Sequence, residues 1–374
     1  MSSETSGVTA DKPCLPPFSR KQQRFLLDDL LRDVSRSFYL TLRVLPKEIR
    51  PQISLAYLLA RASDTIADTK VVPKQERIGT LKEMQNSIRN PSVGATFLPR
   101  TLLESESRPG GRSYGEAALL RRLPDCLASL QGFPESDRML IRELLDTIIT
   151  GQVFDFERFP AEDERGLVAL SNDDELDRYT YMVAGCVGEF WTRMCMAHLK
   201  ELECWDVSAF ALPAVGGRAS ADRGVMEKLG VRFGKGLQLV NVLRDIPKDL
   251  RIGRCYLPVK DPRALLDPAN YDSIRPEYAK WLDRAVEHLD AGWQYTMEIP
   301  PTLWRLRLAC IWPIWIGLKT IARLRTANPL EPHERVKVSR GEVYGIMARS
   351  FLVVRNDATL RAFFQKLRDP AARR

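Results

Sequence analysis

The sequence has only three histidines in 374 residues, His198, His288 and His333, and none stands in an HxxxH or HExxH pattern. That argues against a histidine-based zinc site and against a Ser/His/Asp triad. The seven cysteines (Cys14, Cys126, Cys186, Cys195, Cys204, Cys255 and Cys310) are odd in number and form no CxxC. They read as reduced thiols of a cytoplasmic protein, mostly small core residues. Long apolar runs are missing: the strongest, LACIWPIWIGL at 308–318, is too short to span a bilayer and contains Pro313. The opening MSSETSGVTADKPCLPPFSR has no apolar centre and reads as a loose tail over residues 1–20. No long period-two alternation appears, and no GxGxxG follows a strand, so a Rossmann nucleotide site is excluded.

What is present is an ordinary globular composition, 44% apolar and 28% charged, with a formal net charge of +8. Such a balance is inconsistent with disorder. Its positive sign attracts nucleic acid, anionic lipid or phosphorylated small molecules without choosing among them. Helical periodicity dominates. In FLLDDLLRDVSRSFYLTLRVL, Leu26, Leu27, Leu30, Leu31, Val34 and Phe38 share one stripe. Similar patterns predict helices near 51–70, 75–88, 115–131, 135–159, 174–203, 222–250, 275–297, 302–326 and 340–367. Stretches rich in proline and glycine at 98–115, 159–174, 211–224 and 256–272 read as connecting loops. We expect one all-α domain over 21–367, its helices packed around a central cavity, and a basic tail at 368–374.

Two acidic pairs stand out. YLLARASDTIADTK sets Asp64 and Asp68 four residues apart, beside Arg61. NVLRDIPKDL repeats the spacing with Asp245 and Asp249, beside Arg244 and Lys248. On a helix Tyr57, Arg61, Asp64 and Asp68 fall within roughly 60° of arc. Gln238, Asn241, Asp245 and Asp249 descend a second helix in steps of three or four, although Pro247 is expected to distort its last turn. Like charges at this spacing destabilise a helix unless something neutralises them. A solvated helix face is one explanation. The other is a carboxylate cage for a hard ion such as Mg²⁺, bridging to phosphates that Arg36, Arg61, Arg244, Lys248 and Arg254 would also grip.

The stretches DVSRSFYLTLRVLP, AYLLARASDTIADT, YTYMVAGCVGEFW, LQLVNVLRDIPKDLRIGRCYLP and VKVSRGEVYGI, taken together and in this order, resemble the squalene/phytoene synthase family. The resemblance covers about residues 25–350. It implies an all-α isoprenoid-synthase fold around an apolar cavity and the head-to-head joining of two allylic diphosphates. It further implies that Asp64, Asp68, Asp245 and Asp249 hold Mg²⁺ ions that assist diphosphate departure. Ser35, Arg36, Tyr57, Arg61 and Arg244 would hold the diphosphates, with Gln238 and Asn241 on the same stripe as the second pair. Tyr179 matches the tyrosine that handles the proton lost in cyclopropane formation, although a phenol with a pKa near 10 is a poor base. Phe38 and Phe233 offer ring faces to positive charge.

Within that family, reducing members use a late basic segment for NADPH. VKVSRG supplies Lys337 and Arg340, with Ser339 where an arginine is usual; Arg36, Arg61 and Arg244 are further cofactor candidates. The length of the late helical region favours the reducing branch, hence farnesyl diphosphate to squalene. Non-reductive dehydrosqualene or phytoene synthesis is the alternative, and a non-catalytic helical scaffold a remoter one. Two departures are notable: Ala67 replaces a carboxylate common in the first motif, and GQVFDFERF adds Asp155. The expected protein is a cytoplasmic monomer that binds no nucleic acid. The tail RAFFQKLRDPAARR, with its two phenylalanines, offers a peripheral contact with the inner face of an anionic membrane.

Overall fold

The structure, a computed structural model, describes residues 25–35, 38–90, 98, 112–205, 222–331 and 336–373. The expected N-terminal tail and Arg36 lie outside the described residues. A π-helical turn at Phe25–Leu30 leads into α1 (Leu31–Ser35), followed by α2 (Phe38–Val44), α3 (Arg50–Asp68) and α4 (Lys74–Arg89). Next come α5 (Arg112–Arg121), α6 (Leu123–Gln131), α7 (Glu135–Arg158) and α8 (Asp173–Thr180). A π-helical turn at Tyr181–Gly185 joins α8 to α9 (Cys186–His198), after which α10 (Arg223–Arg251), α11 (Tyr271–Glu298) and α12 (Trp304–Leu324) complete the bundle. Finally α13 (Arg340–Val353) and α14 (Asp357–Ala372) pack on its outside. The fold is therefore all-α, as the periodicity predicts. The small exception is a pair of two-residue parallel strands, β1 (Val168–Ala169) and β2 (Arg254–Cys255).

The interior divides into two apolar clusters. One gathers the inward residues of α1–α4, α6, α7 and α9, including Leu58, Leu59, Ile66, Ile141 and Phe190. The other gathers the end of α10 with α11, α12, α13 and α14, including Leu243, Trp281, Trp315 and Phe364. Phe233 and Val44 pack against both. The first acidic pair thus rides on a helix of one cluster and the second on a helix of the other.

Pro247 does not distort α10, contrary to expectation: the helix runs unbroken to Arg251. A proline at 247 leaves the carbonyl of Leu243 without its helical donor. The buried Tyr278 hydroxyl of α11 donates to that carbonyl at 3.4 Å instead. The late tail also departs from expectation. Residues 368–372 continue α14, and both phenylalanines pack against the bundle: the buried Phe364 stacks on Trp293 at 4.1 Å and the partly buried Phe363 lies 4.5 Å from Trp315. No helix among the described residues is long and apolar enough to cross a membrane. Cys126, Cys186, Cys195, Cys255 and Cys310 are buried free thiols.

Candidate active site

Two cavities share a wall at the centre of the bundle. One is polar, about 240 Å³, and lined by Asp64 and Asp68 of α3, Gln152 and Asp155 of α7, Tyr179 of α8, Gln238 of α10, and Arg254 of β2. The other is apolar, about 170 Å³, and lined by Phe38, Trp191, Phe233, Leu237, Tyr295 and Pro313, among others. Neighbouring residues serve both: Val183 faces the first and Ala184 the second, as do Gln238 and Leu237. The π-turn at 181–185 supplies part of this wall, a use typical of such turns. Glycines let the helices approach: a Cβ on Gly188 of α9 would collide with the backbone carbonyl of Gly230 of α10.

The polar cavity is crowded with carboxylates. Asp64 accepts from Gln152 Nε2 at 2.7 Å. Burial, and then the Asp68 carboxylate, raise its pKa to about 6. Asp155 is buried, and burial raises its pKa, against the pull of Arg254. Arg254 Nη1 lies 2.6 Å from one of its oxygens, and the Tyr256 hydroxyl donates to the other at 2.7 Å. Two local features aim Arg254. Pairing of β2 with β1 fixes its backbone, and the turn before it needs Gly253 at φ +82°, where a Cβ would also meet the Asp163 carbonyl.

Asp249 lines a small adjoining void with Arg254 and Tyr256. Burial, and then Asp245, push its pKa up to about 7, with Asp155 adding repulsion. Asp155 also repels Asp68. It therefore stands electrostatically between the two acidic pairs, with Arg254 as the shared counter-charge. Tyr179 stacks on Tyr256 at 4.6 Å. Burial, and then Asp155, hold its phenol far above the ordinary value, so it is a neutral proton donor in the free protein.

The structure brings together Asp64, Asp68, Tyr179 and Gln238, and sets Asp249 beside them. Asp245 instead takes a bidentate contact from its neighbour Arg244, at 2.9 and 2.6 Å. Arg61 is paired with Glu116 of α5. Ser35 is buried and bonded to the Leu31 carbonyl. Asn241 is exposed. Phe38 stacks on Tyr57 at 5.3 Å and faces the apolar cavity rather than the carboxylates. Lys337 and Arg340 are exposed at the start of α13. Between them Ser339, the residue that replaces an arginine, is the helix N-cap, in a capping box with Glu342. Gln152 and Tyr256 were missed by the spacing argument. Both sit in quoted stretches, GQVFDFERF and GRCYLP, but their roles depend on contacts about 90 or 100 residues away in sequence.

Among the described residues, no three carboxylates, thiolates or imidazoles converge closely enough to ligate one ion unaided. The donors are nevertheless all oxygen, and the Gln152 Oε1 is buried without a hydrogen-bond partner. Such a set suits a hard cation that completes its shell with water and substrate oxygens.

The chain belongs to the squalene/phytoene synthase family, whose model matches residues 31–342. It is similar to the bifunctional lycopene cyclase/phytoene synthase of Blakeslea trispora, 28% identical over 233 residues, 62% of this chain and 32% of that one. It is also 28% identical over 271 residues to the presqualene diphosphate synthase of Rhodopseudomonas palustris, 68% of this chain and 72% of that one. The presqualene diphosphate synthase of Zymomonas mobilis is 27% identical over 60% of this chain and 56% of its own. The match thus spans between a third and three-quarters of the length of these relatives. Among solved structures, TcSQS in complex with the ligand BPH1237 aligns with a TM-score of 0.66 at 19% identity, covering 94% of this chain and 98% of that one. At that identity the likeness establishes the fold.

Proposed function

We propose that this protein is a prenyltransferase that joins two farnesyl diphosphates head to head, through presqualene diphosphate, and reduces the product to squalene with NADPH. The observation that carries the reading is the shared wall: a carboxylate-lined cavity abuts an apolar one. A diphosphate head and a hydrocarbon tail need those two surroundings side by side. Asp64 and Asp68 on one side, and Asp245 and Asp249 on the other, would hold Mg²⁺, which neutralises charge on the departing diphosphate oxygens. In this reading Arg254, Arg61 and Arg244 would answer the diphosphate charge, Arg61 and Arg244 exchanging Glu116 and Asp245 for phosphate. Phe38, Trp191 and Phe233 exclude water from the allylic cation and offer it ring faces. Tyr179, a neutral phenol, can take the proton lost from carbon only by giving up its own, which the released diphosphate would accept. We place the enzyme in the cytoplasm, as a monomer that acts beside a membrane.

One observation favours a shorter reaction without reduction. In VKVSRG, Ser339 is committed to capping α13, and Glu342 lies between Lys319 and Arg323. That leaves Lys337 and Arg340 as the exposed cations for a nucleotide phosphate. The test is analysis of products from farnesyl diphosphate and Mg²⁺ by gas chromatography and mass spectrometry, with and without NADPH. Squalene appearing only with NADPH is the expected result. Presqualene diphosphate or dehydrosqualene regardless of NADPH would replace it with the shorter reaction, and no C30 product would remove both.

A further inference from the structure

The helix α13 is apolar on two opposite faces. Its inner face buries Ile346, Met347 and Ser350 against α12, where the Trp312 indole N–H donates to Ser350 Oγ at 2.8 Å. On its outer face Tyr344, Ala348, Phe351 and Leu352 fall within about 100° of arc. Leu352 is 84% exposed, Tyr344 61% and Phe351 52%. A large side chain so exposed next to two aromatics is costly unless something covers it. Beside this stripe stands Trp304, 6.3 Å from the Phe351 ring. The Arg305 and Arg355 guanidinium groups each lie 5.1 Å from the Trp304 ring centroid. Arg349 is exposed on the same helix. The helix carries one acid, Glu342, and that is turned to Lys319 and Arg323.

We propose that the outer face of α13, with Trp304 and the arginines 305, 349 and 355, docks the protein on an anionic lipid bilayer. The chemistry matches an interfacial surface on both counts it requires. Apolar and aromatic side chains enter the acyl boundary, and arginines meet the phosphate headgroups. A tryptophan between arginines suits the headgroup depth, where its ring is half in each medium. A second copy of the chain is the weaker occupant. A two-fold contact through this face would set arginines 305, 349 and 355 against their own copies, with no carboxylate on the stripe to answer them. The inference is independent of which product the enzyme makes.

The test is co-sedimentation of the full chain with vesicles of phosphatidylcholine, with and without phosphatidylglycerol, in the absence of substrate. The full chain should bind the anionic vesicles, and binding should weaken as salt screens the charge. Leu352→Asp, at a side chain that is 84% exposed, should weaken binding about tenfold or more. The pair Arg349→Glu and Arg355→Glu should do the same, and circular dichroism should be unchanged in all variants. Failure of the full chain to bind anionic vesicles would overturn the proposal. So would binding that neither variant set reduces. Self-association by light scattering that Leu352→Asp abolishes would reassign the face to a second copy. Because no turnover is measured, these outcomes are separate from those of the product analysis.

Discussion

Asp249 in the free protein is a charge held against its preference. Its pKa is about 7 in the folded chain, against an ordinary value of 3.8, through burial first and Asp245 second. A carboxyl whose folded pKa lies above its unfolded one binds more protons when folded, so its contribution to stability falls as pH rises from about 4 through 7. Asp249→Asn removes that loss. The variant should therefore be more stable than the wild type at pH 8, by about 1–3 kcal/mol once cavity water has screened part of the repulsion, and nearly equal to it at pH 4. Denaturant melts at both pH values check this. The same variant should lose nearly all turnover, since the repelled charge is what a cation would answer. Equal stability at pH 8 would mean that Asp249 is an ordinary solvated acid. At this scale the sequence exposed the aspartates, because their spacing is local. It did not expose Asp155 as the charge between them, since that depends on Arg254 and Tyr256, about a hundred residues on.

Helices were the most legible elements because periodicity is a local signal, and the long ones, α3, α7, α10, α11 and α12, lie where apolar spacing puts them. Pro247 shows the limit. A rule about one residue and its own helix predicted a distortion, while a tyrosine from another helix supplies the missing hydrogen-bond donor. The glycines of α9 and α10 are a second case. Helix propensity alone disfavours glycine inside a helix; in the structure these glycines set the distance between the helices that wall the apolar cavity. Gly188→Ala should therefore be destabilising although alanine is the better helix former. Overpacking ordinarily costs about 1–3 kcal/mol, and here the obstacle is backbone, which cannot rotate aside. Thermal melting would measure the loss. A variant as stable as the wild type would show that α9 and α10 separate freely.

At the scale of the molecule, the two acidic pairs belong to two apolar clusters, α3 in one and the end of α10 in the other. Anything that binds both pairs therefore ties the clusters together, and binding should appear as stability of the whole chain. Inorganic diphosphate with Mg²⁺ carries the charged part of the proposed substrate and no hydrocarbon. At a concentration about a hundredfold above its Kd it should add about 2.7 kcal/mol, raising Tm by about 3 °C for a chain of this length. Diphosphate alone or Mg²⁺ alone should do less than the pair, because each leaves the other's charge unanswered. Asp64→Asn and Asp249→Asn should each remove most of the gain, although one lies in the first cluster's helix and the other in the second's. If only one did so, the ligand would be held by a single wall and the cavity would not act as the joint between the two halves. Differential scanning calorimetry distinguishes these cases, and it also shows whether the halves melt in one transition or two before any ligand is added.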